Sequence, residues 1–423
     1  MGTGTVVNFI RRLGPSAQGG EVRAAPRRSL RLGIDIPLLL VTITLVIFGA
    51  LMVYSASWDF SYEVTGSHTA VFKRQLMFLA VGIVMAVFLT WFNYHHWQKL
   101  SIIALITTII MLIAVLLISD ERHGAVRTLS AGSGQPSELA KLVIIIYLAV
   151  WLYAKRDQLS DISFGLVPLA TILGVVSGLI FLQPDLSALI TIIILGGLMF
   201  FLAGGEIRQL LILVVIGLVV GWAVVQFNPT GDRRMTSYVA GLKDPLKADY
   251  QVQRSLEAFA NGGLLGVGIG NSKVKLTGLP VPHTDSIFAV VGEETGLLGA
   301  AFLVILYGFI LWRGLLIAKR APDGLGSVLA AGLCVWLVME AYINMAVMVG
   351  LLPFAGNALP FISVGGSNLM VSLAAIGILL NISRLSAKNK ELEERSFSEV
   401  VDLRRRDRRR SVSRPQRPKK AIQ

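Results

Sequence analysis

Asp285 stands in the run His283-Thr284-Asp285-Ser286-Ile287-Phe288, where a long polar stretch gives way to an apolar one. A carboxylate at the rim of an apolar segment loses hydration as the dielectric falls, so its presence there points to work that needs an acid or base. Taking a proton from a hydroxyl is one such task, and holding a cation is another. Glu138 and Lys141 lie three residues apart after Pro136, on one face of a helix whose first turn tolerates the proline. They form either an ion pair that enters the membrane together or part of a substrate site. Asp185 follows Pro184 in a very short connection. It is either a helix N-cap or an acid that faces Asp285 and holds a metal or a sugar with it.

Other polar residues nearby read differently. At about 100° per residue, Glu293 lies about 80° and Glu294 about 180° round a helix from Asp285, so the three acids cannot share one cavity. One of the two glutamates is expected to pair with another span. His283 reads as an interfacial hydrogen-bonding residue. The glycine-rich run from Gly262 to Lys273 either presents backbone N–H groups and a lysine to phosphate or simply makes turns.

The elements that must position these residues are membrane helices. With 54% hydrophobic and 15% charged residues over 423 positions, a soluble globular chain is excluded. Ten apolar stretches occur near 36–55, 74–93, 100–118, 138–153, 164–182, 186–203, 208–226, 287–312, 325–350 and 367–382. The expectation is an all-α polytopic membrane protein with ten transmembrane helices. No cleavable signal peptide is expected, because the first apolar stretch is long enough to remain as an anchor. The single cysteine, Cys334, lies within the ninth stretch and excludes an intrachain disulfide.

Charge orients the helices. Residues 1–32 hold six Arg against one Glu, and residues 384–423 hold fourteen Lys/Arg against six Asp/Glu. Both basic tails are therefore expected in the cytoplasm, the N-terminal arm as 1–33 and a disordered tail as 386–423, flanking a membrane domain of 34–385. His95, His96 and Trp97 then form a cytoplasmic interface belt. Residues 227–286, between helices 7 and 8, become a large extracytoplasmic loop, together with 119–137, Gln183 to Asp185 and 351–366. All the motif-like polar segments share that side, which predicts one extracytoplasmic site. The large loop carries Arg233, Arg234, Lys243, Lys247, Arg254, Lys273 and Lys275. They either attract a membrane-bound anion or reflect the freedom of a long loop from the positive-inside rule. Tyr250 to Ala260 has the amphipathic pattern of an interfacial helix.

At these residues the chain resembles the SEDS family (shape, elongation, division and sporulation), the FtsW, RodA and SpoVE membrane glycosyltransferases, with the FtsW-like branch favoured. The resemblance spans residues 34–385. It rests on Gln135-Pro136-Ser137-Glu138-Leu139-Ala140-Lys141, Leu182-Gln183-Pro184-Asp185-Leu186, the run His283 to Glu294, and Leu359-Pro360-Phe361-Ile362-Ser363 leading into Gly365-Gly366-Ser367. Thr128, Ser187-Ala188, Asn357 and Val364 depart from the family pattern.

The resemblance implies polymerisation of lipid II into peptidoglycan glycan strands at the outer face of the bacterial cytoplasmic membrane, in cell division or cell-shape maintenance. It implies undecaprenyl diphosphate as the leaving product, a class B penicillin-binding protein as partner, other divisome or elongasome membrane proteins nearby, and no nucleic acid. By motif position it makes Asp285 the catalytic residue, with Arg127, Glu138, Lys141, Asp185, Lys273 and Ser363 as substrate-binding residues. Asp285 and Asp185 are also candidate ligands of a divalent cation, Mg2+ or Mn2+; no organic cofactor is implied. Such a reaction needs a base at the acceptor hydroxyl and positive charge at the departing diphosphate, and a single displacement inverts the anomeric centre. A lipid-linked-sugar flippase would instead spread polar groups along a route through the bilayer. A non-catalytic division scaffold would leave Asp285 without a reason.

Overall fold

The computed structural model describes residues 33–118, 135–227 and 229–410. Among them twelve α-helices form and no strand. They are α1 (Ile36–Thr65), α2 (Ala70–Trp91), α3 (Trp97–Ile118), α4 (Pro136–Ala154), α5 (Val167–Phe181), α6 (Leu186–Leu202), α7 (Ile207–Phe227), α8 (Pro229–Lys243), α9 (Tyr250–Gly262), α10 (Ile287–Lys319), α11 (Gly324–Met348) and α12 (Gly366–Arg410). Ten of these, all but α8 and α9, coincide with the ten apolar stretches. Eight spans are long and apolar enough to cross a membrane, and Leu186–Leu202 and Ile207–Val219 are shorter apolar helices. The chain is a polytopic membrane protein.

Aspartates set where several helices begin. Asp35, Asp185, Asp249 and Asp323 each accept a hydrogen bond from a backbone N–H in the first turn of the helix they precede, satisfying donors that the helix cannot use itself. α12 runs to Arg410, past residue 385 where the membrane domain was expected to end. Residues 227–286 are largely helical too: α8 and α9 fill much of that segment, and α9 packs its buried Val252, Ser255 and Ala258 against the bundle.

Burial decides which helices can carry polar groups. The most apolar windows of α4, α11 and α12 are 61%, 78% and 72% buried, whereas that of α2 is only 11% buried. The first three thus form the interior, where an ionisable side chain can be matched by protein instead of facing lipid. At one end of the bundle Asp35, before α1, pairs with Arg313 near the end of α10 at 2.5 Å. At the same end Asp323 binds His95 at 2.7 Å.

The opposite end is organised by a break in α10. Gly296 has φ 69° and ψ −171°, and a Cβ there would lie 2.4 Å from the N of Gly266. The break separates two helical hydrogen-bond pairs, and the glycine-rich loop supplies substitutes. Val267 N–H and Gly268 N–H donate to the carbonyls of Glu293 and Glu294 at 3.0 Å each, while Leu297 N–H and Leu298 N–H donate to Gly263 and Leu264 at 2.9 and 3.2 Å. A kink in an apolar setting persists only where the freed backbone groups find such partners. The side chains lock the same contact. Glu293 accepts from Ser272 Oγ and from the N–H groups of Lys273 and Val274. Glu294, wholly buried, accepts from Lys275 Nζ at 2.7 Å and from Ser55 Oγ of α1 at 2.6 Å.

Two stability outcomes follow from this loop. Gly296→Ala forces an L residue into the left-handed region beside packed backbone, at a cost of about 1–3 kcal/mol before any clash, and should lower the thermal midpoint in detergent. Gly178→Ala, where nothing lies within 4 Å, should not. Lys275→Met leaves the Glu294 carboxylate buried without its cation and should cost about 3–5 kcal/mol, whereas Lys275→Met with Glu294→Leu should cost less than the two changes summed. A double-mutant cycle of unfolding in mixed micelles reads that difference, and strict additivity would contradict the pairing.

Candidate functional site

The helix ends near the break in α10 gather two polar clusters. The first surrounds Asp285, which precedes α10 in a half-buried position. Asn344 of α11 donates from Nδ2 to the Asp285 carbonyl at 2.8 Å and to the Asn357 carbonyl at 2.6 Å. The neighbouring Ser286 hydroxyl receives a bond from Gln251 of α9 and donates to Pro280 O at 2.8 Å. Gly356 lies against the Asp285 carboxylate, since a Cβ there would be 2.9 Å from Oδ2. The backbone of Asp285 is thereby held by α11, while its carboxylate stands at the edge of the 351–366 segment.

That segment is clamped from several sides. Ser363 accepts from Leu359 N–H at 2.7 Å and donates to Thr284 O at 2.8 Å. Its carbonyl accepts from Gln75 of α2 at 3.2 Å, and Tyr307 of α10 donates its hydroxyl to Pro360 O. A Cβ on Gly49 of α1 would lie 2.3 Å from Phe361 O, so α1 also touches this loop backbone to side. Ser363 was expected to bind substrate; here its hydroxyl spends its bonds tying the 359–363 turn to the residue before Asp285. His283 hydrogen-bonds through its main chain, its carbonyl accepting from Val364 N–H at 2.9 Å, and its ring packs. It stacks on Phe60 at 4.2 Å, its Nδ1 is buried without a partner, and burial pushes its imidazole down to about 4. A ring that stays neutral at physiological pH acts here as packing.

The second cluster lies on α4, α11 and α12. Lys141 Nζ donates to Glu138 Oε1 at 2.8 Å and to Glu340 Oε1 at 2.5 Å, with Lys141 and Glu340 only 3% and 1% exposed. Asn368 Nδ2 donates to the other oxygen of Glu138 at 2.9 Å. One turn away, Ser367 Oγ accepts from Gln135 N–H at 2.8 Å. The start of α12 thus joins α4 to the loop that ends beside Asp285. Glu340 was missed by the reading of the sequence, although it is the only charged residue of α11; a lone acid within an apolar span is itself a signal of a buried partner.

Asp185 resolves as a cap and a brace. Its Oδ1 accepts from Ser187 Oγ at 2.9 Å and Ala188 N–H at 3.3 Å, and its Oδ2 from Gln135 Nε2 and Ser137 Oγ at 2.9 Å each. A carboxylate has about four acceptor positions, and all are used. Asp185 therefore has no place for a cation, and among the described residues no three His, Cys, Asp or Glu side chains group together as a metal site. Mg2+ or Mn2+ would have to displace these hydrogen bonds to reach Asp185. Ser187, a departure from the family pattern, reinforces the cap.

The glycine-rich run does not present its N–H groups to an external phosphate: several bind Glu293 and the broken turn of α10. Lys273 is exposed and contributes its backbone N–H to Glu293. Lys275, two residues on, is the lysine that enters the bundle. Arg127 lies outside the described residues. Beside Gln251 opens a cavity of about 510 Å3 lined by Arg233, Arg234, Asp249, Tyr250, Pro280 and Phe354, with the Arg234 guanidinium 5.0 Å from the Phe354 ring centre. Two arginines at its wall give this end of the bundle a cationic recess linked to Asp285 through the Gln251–Ser286 bond.

Comparison with known proteins bears on the arrangement. The chain is 36% identical over 359 residues to stage V sporulation protein E of Bacillus subtilis (strain 168), covering 83% of this chain and 97% of that protein. It is 35% identical over 355 residues to the probable peptidoglycan glycosyltransferase FtsW of Geobacter sp. (strain M18), with the same coverages. A chain from a structure described as the structural coordination of polymerization and crosslinking by a peptidoglycan synthase complex superposes with a TM-score of 0.69 at 26% identity, over 84% of this chain and 98% of that one. The crystal structure of the rod shape determining protein RodA of Thermus thermophilus gives a TM-score of 0.62 at 25% identity, over 83% and 97%. The family model for FtsW, RodA and SpoVE, described as cell cycle protein, matches residues 36–388. With helices, motifs and family model in register, the chain belongs to the FtsW/RodA/SpoVE family of cell cycle proteins.

Proposed function

We propose that this protein is a peptidoglycan glycosyltransferase that polymerises lipid II, with Asp285 as the general base. The observation that carries the reading is the position of Asp285: its backbone is fixed by Asn344 and the clamped 357–363 turn while its carboxylate lies against Gly356 in the 351–366 segment. A base must be held in place by its main chain. The carboxylate takes the proton of the acceptor sugar hydroxyl, that oxygen forms a bond to the donor's anomeric carbon, and the bond from that carbon to the diphosphate breaks. The diphosphate leaves with the electron pair, and cationic groups stabilise it. Lys141 has three N–H donors, two of which go to Glu138 and Glu340, so one remains for a phosphate oxygen. Arg127, by motif position, and the arginines at the recess add charge on the same side. A single displacement of this kind inverts the anomeric centre.

Several observations support this over transport. The polar clusters sit where helices begin or end at one side of the bundle, and at the other end Asp35 pairs with Arg313 and Asp323 with His95. A transport route would need polar groups that connect the two ends. The named FtsW relatives and the peptidoglycan synthase complex agree with polymerisation. A class B penicillin-binding protein is the partner we propose, with the site on the outer face and both termini in the cytoplasm, as the basic tails require.

Asp285→Asn keeps the shape and removes the base. Polymerisation of lipid II by the purified variant with its partner should fall at least about a hundredfold, while thermal stability and partner binding stay at wild-type values. Turnover within threefold of wild type, with chemistry limiting, would end the assignment. Orientation has its own test. In a Cys334→Ser background, Thr236→Cys on exposed α8 should react with an impermeant thiol reagent in intact cells, and Lys388→Cys on α12 should react only after lysis. The opposite pattern would invert the topology.

A further inference from the structure

Glu340 has no assigned part in sugar transfer, yet it makes the shortest contact to Lys141. Lys141 is held between two carboxylates from different helices, Glu138 on its own α4 and Glu340 on α11. Glu138 is itself drawn towards α12 by Asn368. Without Glu340, the ammonium would have one anchor, three residues away on the same helix, and the four-carbon stem of lysine leaves such a pair free to swing.

The place of Glu340 on α11 gives its hold on Lys141 a second consequence. Asn344 follows four residues later, about 6 Å along the same helical face, and donates to the carbonyl of Asp285. One rigid turn of α11, buried along most of its length, therefore touches the proposed base through its backbone and the ammonium through Glu340. Trp336, one turn before, places its ring 5.9 Å from Lys141 Nζ. Its Nε1 and the Oε2 of Glu340, four residues on, are both buried, and the indole N–H faces that carboxylate as a donor. Glu340 thus keeps a fully buried carboxylate, held between Lys141 and Trp336, at a position where an apolar residue would cost less. A structural span would not retain that group for packing alone.

We propose that Glu340 is a positioning residue: with Asn344 it makes one turn of α11 into a strut that fixes the Lys141 ammonium relative to Asp285, so that the remaining N–H of Lys141 meets the diphosphate as it departs. The inference rests on the glycosyltransferase reading, since it gives Lys141 its ligand. Its geometric claim is that the length of the Glu340 side chain matters more than its charge.

Three variants of the full-length protein separate the possibilities, each measured with the cognate penicillin-binding protein for turnover of lipid II and alone for binding of undecaprenyl diphosphate. Glu340→Met removes the anchor and is expected to lower kcat at least tenfold with KM changed less than threefold, and to weaken diphosphate binding by a similar factor to kcat. Glu340→Asp keeps the charge but withdraws it by one methylene, and is expected to show the same loss. Glu340→Gln keeps an acceptor at the same reach and is expected to recover most of it, to within about threefold of wild type. Thermal midpoints identify the folded variants. If Glu340→Met does not fold, the Asp and Gln pair carries the comparison.

The strut is overturned if Glu340→Asp matches wild type in turnover and binding, or if Glu340→Gln is as impaired as Glu340→Asp, which would make charge the requirement. A wild-type protein that forms no glycan under these conditions contradicts the glycosyltransferase reading instead. The binding arm still judges the strut in that case, because weaker undecaprenyl diphosphate binding by Glu340→Asp, recovered in Glu340→Gln, supports it without turnover, and unchanged binding rejects it.

Discussion

Charge inside an apolar bundle must be matched by protein, and that constraint shapes this molecule more than any other. Ionised groups within α4, α10 and α11 are each met by a named partner: Lys141 by Glu138 and Glu340, Glu294 by Lys275 and Ser55, Glu293 by the N–H groups of the glycine-rich loop. The pairs cross between elements distant in sequence, so satisfying them also selects which helices become neighbours. Buried ion pairs are poor sources of net stability but expensive to break. They make the arrangement specific, and they leave Asp285 as the acid whose backbone is tied while its carboxylate remains at an edge.

The break in α10 extends the same logic to the main chain. A left-handed Gly296 frees two carbonyls and two N–H groups, and in an apolar surrounding those groups have to be satisfied within the protein. Residues 263–268 take up all four. The loop that leads to Asp285 is thereby anchored to the helix that follows Asp285, and the acid is fixed at both sides along the chain. Catalytic geometry of this kind depends on supporting contacts that hold a side chain's root in place.

Much of this was legible in the sequence, for physical reasons. Ten apolar stretches became ten apolar helices because a spanning segment must be continuous and apolar to satisfy its own backbone. The closeness of Glu138 and Lys141 followed from their spacing on one helical face, and a contact of either Glu293 or Glu294 with another span was expected from their directions round the helix. Partners far away in the chain were not legible. Glu340 hides in the run Val335-Trp336-Leu337-Val338-Met339, where an apolar helix is read before its single acid. The glycine-rich run could be read as a phosphate cradle or as turns, because the carboxylate it binds, Glu293, lies some twenty residues further on. The part Ser363 plays in the turn was hidden as well, because a hydroxyl in a motif gives no sign that it bonds Leu359 N–H and Thr284 O. The extension of α12 beyond residue 385 was obscured by charge: Lys388, Lys390, Glu391 and Glu393 read as a polar tail, yet they are good helix formers.

The account turns on whether the polar end of this bundle makes glycosidic bonds. The most direct measurement is product analysis after the purified protein, with its cognate class B penicillin-binding protein, is given labelled lipid II in detergent, where no membrane separates two compartments. The account predicts glycan chains with inverted anomeric linkages and release of undecaprenyl diphosphate. Unchanged lipid II in that mixture, alongside transfer of labelled lipid II between the leaflets of vesicles holding the same protein, would contradict it and identify a transporter.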